Sequence, residues 1–143
     1  MRGYVLDTNV LIEAMRSPAA AALLADWQRR MAPFIWQHSV VSAELLAGAR
    51  GEAAWRRWRE AWITPSERIG RVITPSQGTW LRASRIIARL AGDGVAGGHS
   101  FLNDCLIAAS AQEHGFTVVT WNTADFERIA GVQPELAFSV PLP

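Results

Sequence analysis

Two hydrophobic periods alternate along the chain. Tyr4-Val5-Leu6 is a short apolar run that ends abruptly in Asp7, and Val10, Leu11, Ala14 and Met15 then recur at helical spacing. The pattern predicts a buried strand handing over to a helix, with Asp7 at the junction. Pro18 is placed to open a second helix over 18–31, which Pro33 breaks. Phe34-Ile35-Trp36 reads as a strand. Val40, Val41, Leu45 and Leu46 give a helix over 39–50, with Gly51 as its stop. A helix over 52–63 puts Trp55, Trp58 and Trp62 on one face, expected to be core.

The second half repeats the alternation. Arg71-Val72-Ile73 before Thr74-Pro75 is a strand, followed by a helix over 76–90 with Trp80, Ala83, Ile87 and Leu90 as its apolar stripe. Gly92 to Gly98 is a glycine-rich loop. Leu102 to His114 is an almost wholly apolar helix with Asn103 and Asp104 at its start, expected to be buried. Phe116 to Thr120 is a β-branched strand, 123–130 a short helix with Asp125 in its first turn, and 137–140 a last edge strand. Strands alternating with helices throughout predict an α/β class with a mostly parallel sheet.

Composition narrows the chemistry. At 143 residues, half of them hydrophobic, one globular domain over 1–143 is expected. No N-terminal apolar stretch predicts a signal peptide and no window predicts a membrane span; with one cysteine, Cys105, a cytoplasmic location is expected. All fourteen basic residues are arginine. With no lysine the chain lacks the cation that a P-loop or a Schiff-base enzyme requires. The same absence argues against phospho-aspartate receivers and haloacid-dehalogenase-type phosphatases. The histidines, His38, His99 and His114, have no zinc-motif spacing.

Four carboxylates stand out by position. Asp7 follows the first strand, Glu44 lies early in the helix after the second, Asp104 opens the buried helix, and Asp125 follows the strand 116–120. A parallel sheet collects such positions along its carboxyl edge, where ligand sites form. Each acid alone is as simply read as a helix cap, a first-turn acid worth roughly 0.3–1 kcal/mol, or a solvated side chain. Jointly they imply more, because two carboxylates about 4 Å apart repel by roughly 4 kcal/mol at an effective dielectric of 20. A cluster of four would hold a cation or carry raised pKa values, and an all-oxygen donor set selects Mg²⁺ or Mn²⁺.

The pieces Val5-Leu6-Asp7-Thr8-Asn9, Ser42-Ala43-Glu44-Leu45 with Gly48, Asn103-Asp104-Cys105-Leu106-Ile107-Ala108-Ala109 and Thr120-Trp121-Asn122-Thr123-Ala124-Asp125-Phe126 resemble, in order and spacing, the PIN-domain ribonucleases. Among these the chain is most similar to the VapC-like toxins of bacterial toxin–antitoxin pairs. The resemblance implies a three-layer α/β/α fold and an acidic metal site of Asp7, Glu44, Asp104 and Asp125, supported by Thr8, Asn9, Thr120 and Asn122. It further implies a Mg²⁺- or Mn²⁺-dependent endoribonuclease with an RNA substrate, an antitoxin partner and a homodimeric state. Between Glu52 and Gly98 no family motif occurs. There Arg82, Arg85 and Arg89 form a stripe that would contact substrate phosphates, an antitoxin's acids, or solvent alone, and the glycine loop would border the site.

Two rival readings stay open on the sequence. One is a PIN-type RNA-processing nuclease with no antitoxin. The other is a non-catalytic acidic α/β binding module, whose carboxylates would lie apart.

Overall fold

The computed structural model describes residues 3–94 and 99–141, so part of the expected glycine loop, 95–98, lies outside the described residues. Five short strands form one sheet: β1 (Tyr4–Leu6), β2 (Ile35–His38), β3 (Val72–Ile73), β4 (Thr117–Val119) and β5 (Ala137–Ser139), in the order β3-β2-β1-β4-β5. Every pairing is parallel. Tyr4 lies level with both Ile35 and Thr117, which brings the ends of β1, β2 and β4 to one edge.

The helices are α1 (Thr8–Arg16), α2 (Pro18–Met31), α3 (Ser39–Ala47), α4 (Glu52–Trp58), α5 (Thr64–Arg68), α6 (Gln77–Gly92), α7 (His99–His114) and α8 (Thr123–Val132). From β1 the chain steps outward to β2 and β3, then crosses back to β4 and β5 on the other side of β1. Right-handed crossovers therefore put α1 to α5 on one face and α6 to α8 on the other. Packing largely follows this division: α1 meets α2 and α3, α6, α7 and α8 meet one another, and α3 also reaches α7. This is the three-layer α/β/α arrangement. Between β1 and β4 the strand order reverses, and such switch points are where open parallel sheets form ligand sites.

The core is the sheet and α7. Cys105, Leu106, Ile107, Ala108, Ala109 and Ala111 are fully buried, with Val5, Val41, Val118, Phe126 and Ile129 around them. At the base of the sheet, Phe116 stacks on Trp36 and on His114, each at 5.3 Å. Gly3 admits this stack, because a Cβ there would meet the Phe116 ring at 2.7 Å. His38 is buried and its Nδ1 accepts from the Val40 N–H, capping α3; burial first, then His114, holds its pKa down to about 4. No described helix is long and apolar enough to cross a membrane.

Several elements differ from the pattern's expectation. Phe34 belongs to a 3-10 turn (Ala32–Phe34), so β2 runs later, through His38. α3 stops at Ala47, because Gly48 already forms its C-cap, and Gly51 (φ 93°) instead caps α4. The expected helix over 52–63 changes to a π turn at Arg59–Ile63, followed by the unforeseen α5. The wider turn breaks the tryptophan register. Trp55 is 41% exposed, Trp58 lines a groove with Met15 and Gly48, and Trp62 lines another with Ile35 and Trp36, so the three do not form a core face. In α6 the buried stripe is Thr79, Ala83, Ile86 and Leu90, while Trp80 is 47% exposed. Thr79 is drawn inward because it completes the Ser76 capping box and donates to Glu113.

Candidate metal centre

Asp7 is the residue at which β1 becomes α1. Its main chain is extended, it is the N-cap of α1, and its N–H is held by the Val119 carbonyl of β4 at 2.9 Å. The side chain is 3% exposed and fully engaged. Oδ1 accepts from the Thr8 N–H at 2.8 Å; Oδ2 accepts from the Thr120 hydroxyl at 2.8 Å and from the Asn9 amide at 3.1 Å. Helix capping alone needs only the first of these bonds. The other two come from a residue one strand away and from the first turn of α1, and they fix the carboxylate's orientation.

The four supporting residues named by the motif all reach the acids. Thr8 donates its hydroxyl to Glu44 at 2.8 Å while its N–H serves Asp7, so it ties these two carboxylates together. Thr120 is fully buried at the end of β4, and its oxygen accepts from Asn9 at 3.2 Å and from the Asn122 N–H at 2.9 Å. The Asn122 amide donates to Asp125 at 2.8 Å and to Asp104 at 3.3 Å.

Asp104 differs from expectation in one respect. α7 begins at His99, so Asp104 lies in its second turn, and Glu44 likewise lies in the second turn of α3. Helix-dipole stabilisation fades beyond the first turn, so it does not account for either acid. Asp104 is 8% exposed, and its carboxyl is held up to about 8 by burial first, then by the negative charges of Asp7, Asp125 and Glu44. Asp7 is also pushed up by burial and, to a smaller degree, by Glu44, against the opposing pull of its hydrogen bonds from Thr120, Thr8 and Asn9. Hydrogen bonds through Thr8, Thr120 and Asn122 thus link four carboxylates from four parts of the chain. That convergence is what the binding-module reading does not predict.

The arginine stripe does not join them. Arg82 pairs with Glu113 at the end of α7, and Arg89 donates to the Val132 carbonyl at the end of α8, 3.3 Å away. Arg85 lines the same recess with Gln133. From Asp104 to Glu113 the helix rises about 13 Å, so the stripe serves the C-terminal ends of α7 and α8, where cations offset the helix dipoles. Motif reading missed Arg128, which sits one turn after Asp125 and pairs with its Oδ1 at 3.2 Å. The i, i+3 spacing was visible in the sequence. Cys105, next to Asp104, is a core thiol pushed up to about 12 by burial and by Asp104 and Asp125, hence not a nucleophile.

The donor set fits a hard divalent cation. It is all oxygen, and cationic charge reaches it among the described contacts only through Arg128, on the outer oxygen of Asp125. Among the described residues no three acidic, histidine or cysteine side chains close into a cage as they stand. Each acid is instead held by a protein donor.

The PIN domain model matches residues 4–132, and the chain belongs to that family. In structure it is similar to a chain of DNA-bound VapBC from Salmonella typhimurium, with TM-score 0.77 and 25% identity over 99% of this chain and 100% of that one. It is also similar to VapBC-1 from nontypeable Haemophilus influenzae, with TM-score 0.72 and 25% identity over 96% of each chain. A chain of FitAB bound to an IR36 DNA fragment shares the fold at TM-score 0.70 and 22% identity, covering 96% of this chain and 94% of that one. No curated protein matches the sequence.

Proposed function

We propose that the protein is a divalent-metal-dependent endoribonuclease and the toxin of a toxin–antitoxin pair. The observation that carries the nuclease reading is the convergence of Asp7, Glu44, Asp104 and Asp125 at the switch point of the sheet, linked and oriented by hydrogen bonds from Thr8, Asn9, Thr120 and Asn122. Asp7 and Asp104, the most buried pair, would hold Mg²⁺ or Mn²⁺ directly, and Glu44 and Asp125 directly or through water. A bound ion of this kind lowers the pKa of water and stabilises charge on the phosphoryl and leaving oxygens of a phosphodiester.

The residues of the chain prepare that chemistry. Thr120 and Asn9 fix Asp7 in one rotamer, and Asn122 holds Asp104 beside Asp125. Asp104 holds a proton near neutral pH, which an arriving cation would displace. The toxin reading is supported by similarity over nearly the whole chain to members of VapBC complexes.

The nuclease is tested by incubating the protein with RNA and Mg²⁺ or Mn²⁺, with EDTA and Asp7→Asn as controls. The toxin role is tested by expressing the chain alone and together with a candidate antitoxin protein. A toxin arrests growth alone and is both bound and silenced by that partner; growth unaffected by the active nuclease contradicts this role.

A further inference from the structure

Trp121 separates Thr120, which is fully buried and bonded to Asp7, from Asn122, which is bonded to Asp104 and Asp125. Its own side chain is 49% exposed. It is a large aromatic side chain left half exposed directly beside a buried polar network. Its backbone is nevertheless held firmly. The Trp121 N–H donates at 3.0 Å to Oδ1 of Asn9, and the amide nitrogen of the same Asn9 donates to Asp7 at 3.1 Å. One side chain therefore ties the acid to the main chain that carries the ring.

The ring stands on an apolar cleft walled by Val10, Leu23, Trp27 and Val119, with Leu23 52% exposed at its mouth. Among the described residues the charged side chain on this cleft is Glu13, which disfavours a phosphate there and tolerates a neutral planar group. Unpaired nucleobases are such groups, and every base offers a face to an aromatic ring.

We propose that Trp121 is a substrate-positioning residue: a base adjoining the scissile phosphodiester stacks on its ring. The inference rests on the nuclease reading and adds a residue that positions its substrate. Stacking on Trp121 sets the place of the neighbouring phosphate relative to Asp7, because Asn9 couples the two.

The test measures binding of a fluorescein-labelled, single-stranded oligoribonucleotide of mixed sequence in EDTA, by anisotropy, to the full chain and to Trp121→Ala, Trp121→Phe and Trp121→Leu. Trp121→Ala is expected to weaken binding roughly 5- to 150-fold. Trp121→Phe should retain most of the affinity and Trp121→Leu should not. An oligonucleotide abasic at one position should lose the same factor with the natural chain and nothing further with Trp121→Ala. A loss under about two-fold for Trp121→Ala, rescue by leucine equal to that by phenylalanine, or no RNA binding by the natural chain overturns the proposal. Equal rescue by leucine would mark an apolar face for a protein partner instead. Cleavage in Mn²⁺ separates the two readings. Aromatic-dependent binding without cleavage removes the nuclease and keeps the base platform. Cleavage with KM unchanged in Trp121→Ala removes the platform and keeps the nuclease.

Discussion

The amide nitrogen of Asn122 stands between two acids, 2.8 Å from Asp125 and 3.3 Å from Asp104. It offsets part of the repulsion between them and fixes where each carboxylate points. Outer partners of this kind are typically worth about 10- to 100-fold in metal affinity or activity. Asn122→Ala should lose a factor in that range, read as Mn²⁺ affinity by calorimetry and as cleavage rate, while keeping its circular dichroism spectrum. Unchanged affinity and rate would remove Asn122 from the site.

The raised Asp104 carboxyl makes stability depend on pH. Its folded pKa, about 8, lies above its ordinary 3.8, so between these values the folded chain binds the extra proton. Stability from this group is fully present below the lower value and falls as pH rises through the upper one. In EDTA the melting temperature should therefore fall on going from about pH 5 to about pH 9. Asp104→Asn should flatten that slope. Mn²⁺ should raise the melting temperature of the natural chain at high pH and do little for the variant. A slope unchanged by the substitution would contradict the coupling.

Gly3 is required by its neighbours. A Cβ there would lie 2.7 Å from Phe116 and 3.0 Å from Trp36, two rings already stacked on each other. Gly3→Ala should destabilise the fold by about 1–3 kcal/mol, as overpacking does, measured by urea unfolding. A neutral effect would mean that the Phe116 ring has room to move.

The arginine stripe predicts a separation of effects. Arg82→Ala with Arg89→Ala should lower the melting temperature, through loss of the Glu113 pair and of the contact with the end of α8, and leave the RNA cleavage rate unchanged. Loss of cleavage at full stability would return these residues to the substrate.

The sequence made the site more legible than the connections around it. Asp7, Glu44, Asp104 and Asp125 stood out because each lies shortly after a strand or early in a helix, and parallel strands gather those positions along one edge; Thr8, Asn9, Thr120 and Asn122 were legible only through the resemblance to the PIN-domain ribonucleases. Their bonds to one another, such as Thr120 to Asp7, depend on β1 and β4 being neighbours, which no local pattern encodes. The strands also followed from local runs of apolar residues. Helix periodicity held over Glu52–Trp58 and failed from Arg59 to Arg68, where a π turn shifts the register and Trp58 and Trp62 turn to different grooves. It also misjudged α6 by one position, because Thr79 is buried by its bond to Glu113, a tertiary contact, while Trp80 faces out. Trp121 read only as part of a motif until its exposure and its bond to Asn9 were known.

The central claim is that Asp7 works with a bound divalent ion to cut RNA. The direct measurement is the rate of cleavage of single-stranded RNA by the natural chain and by Asp7→Asn, each with Mn²⁺ and with excess EDTA. The account predicts cleavage by the natural chain in Mn²⁺, none in EDTA, and a loss of about a hundred-fold or more in Asp7→Asn at unchanged fold. Cleavage that survives both EDTA and the substitution would contradict it.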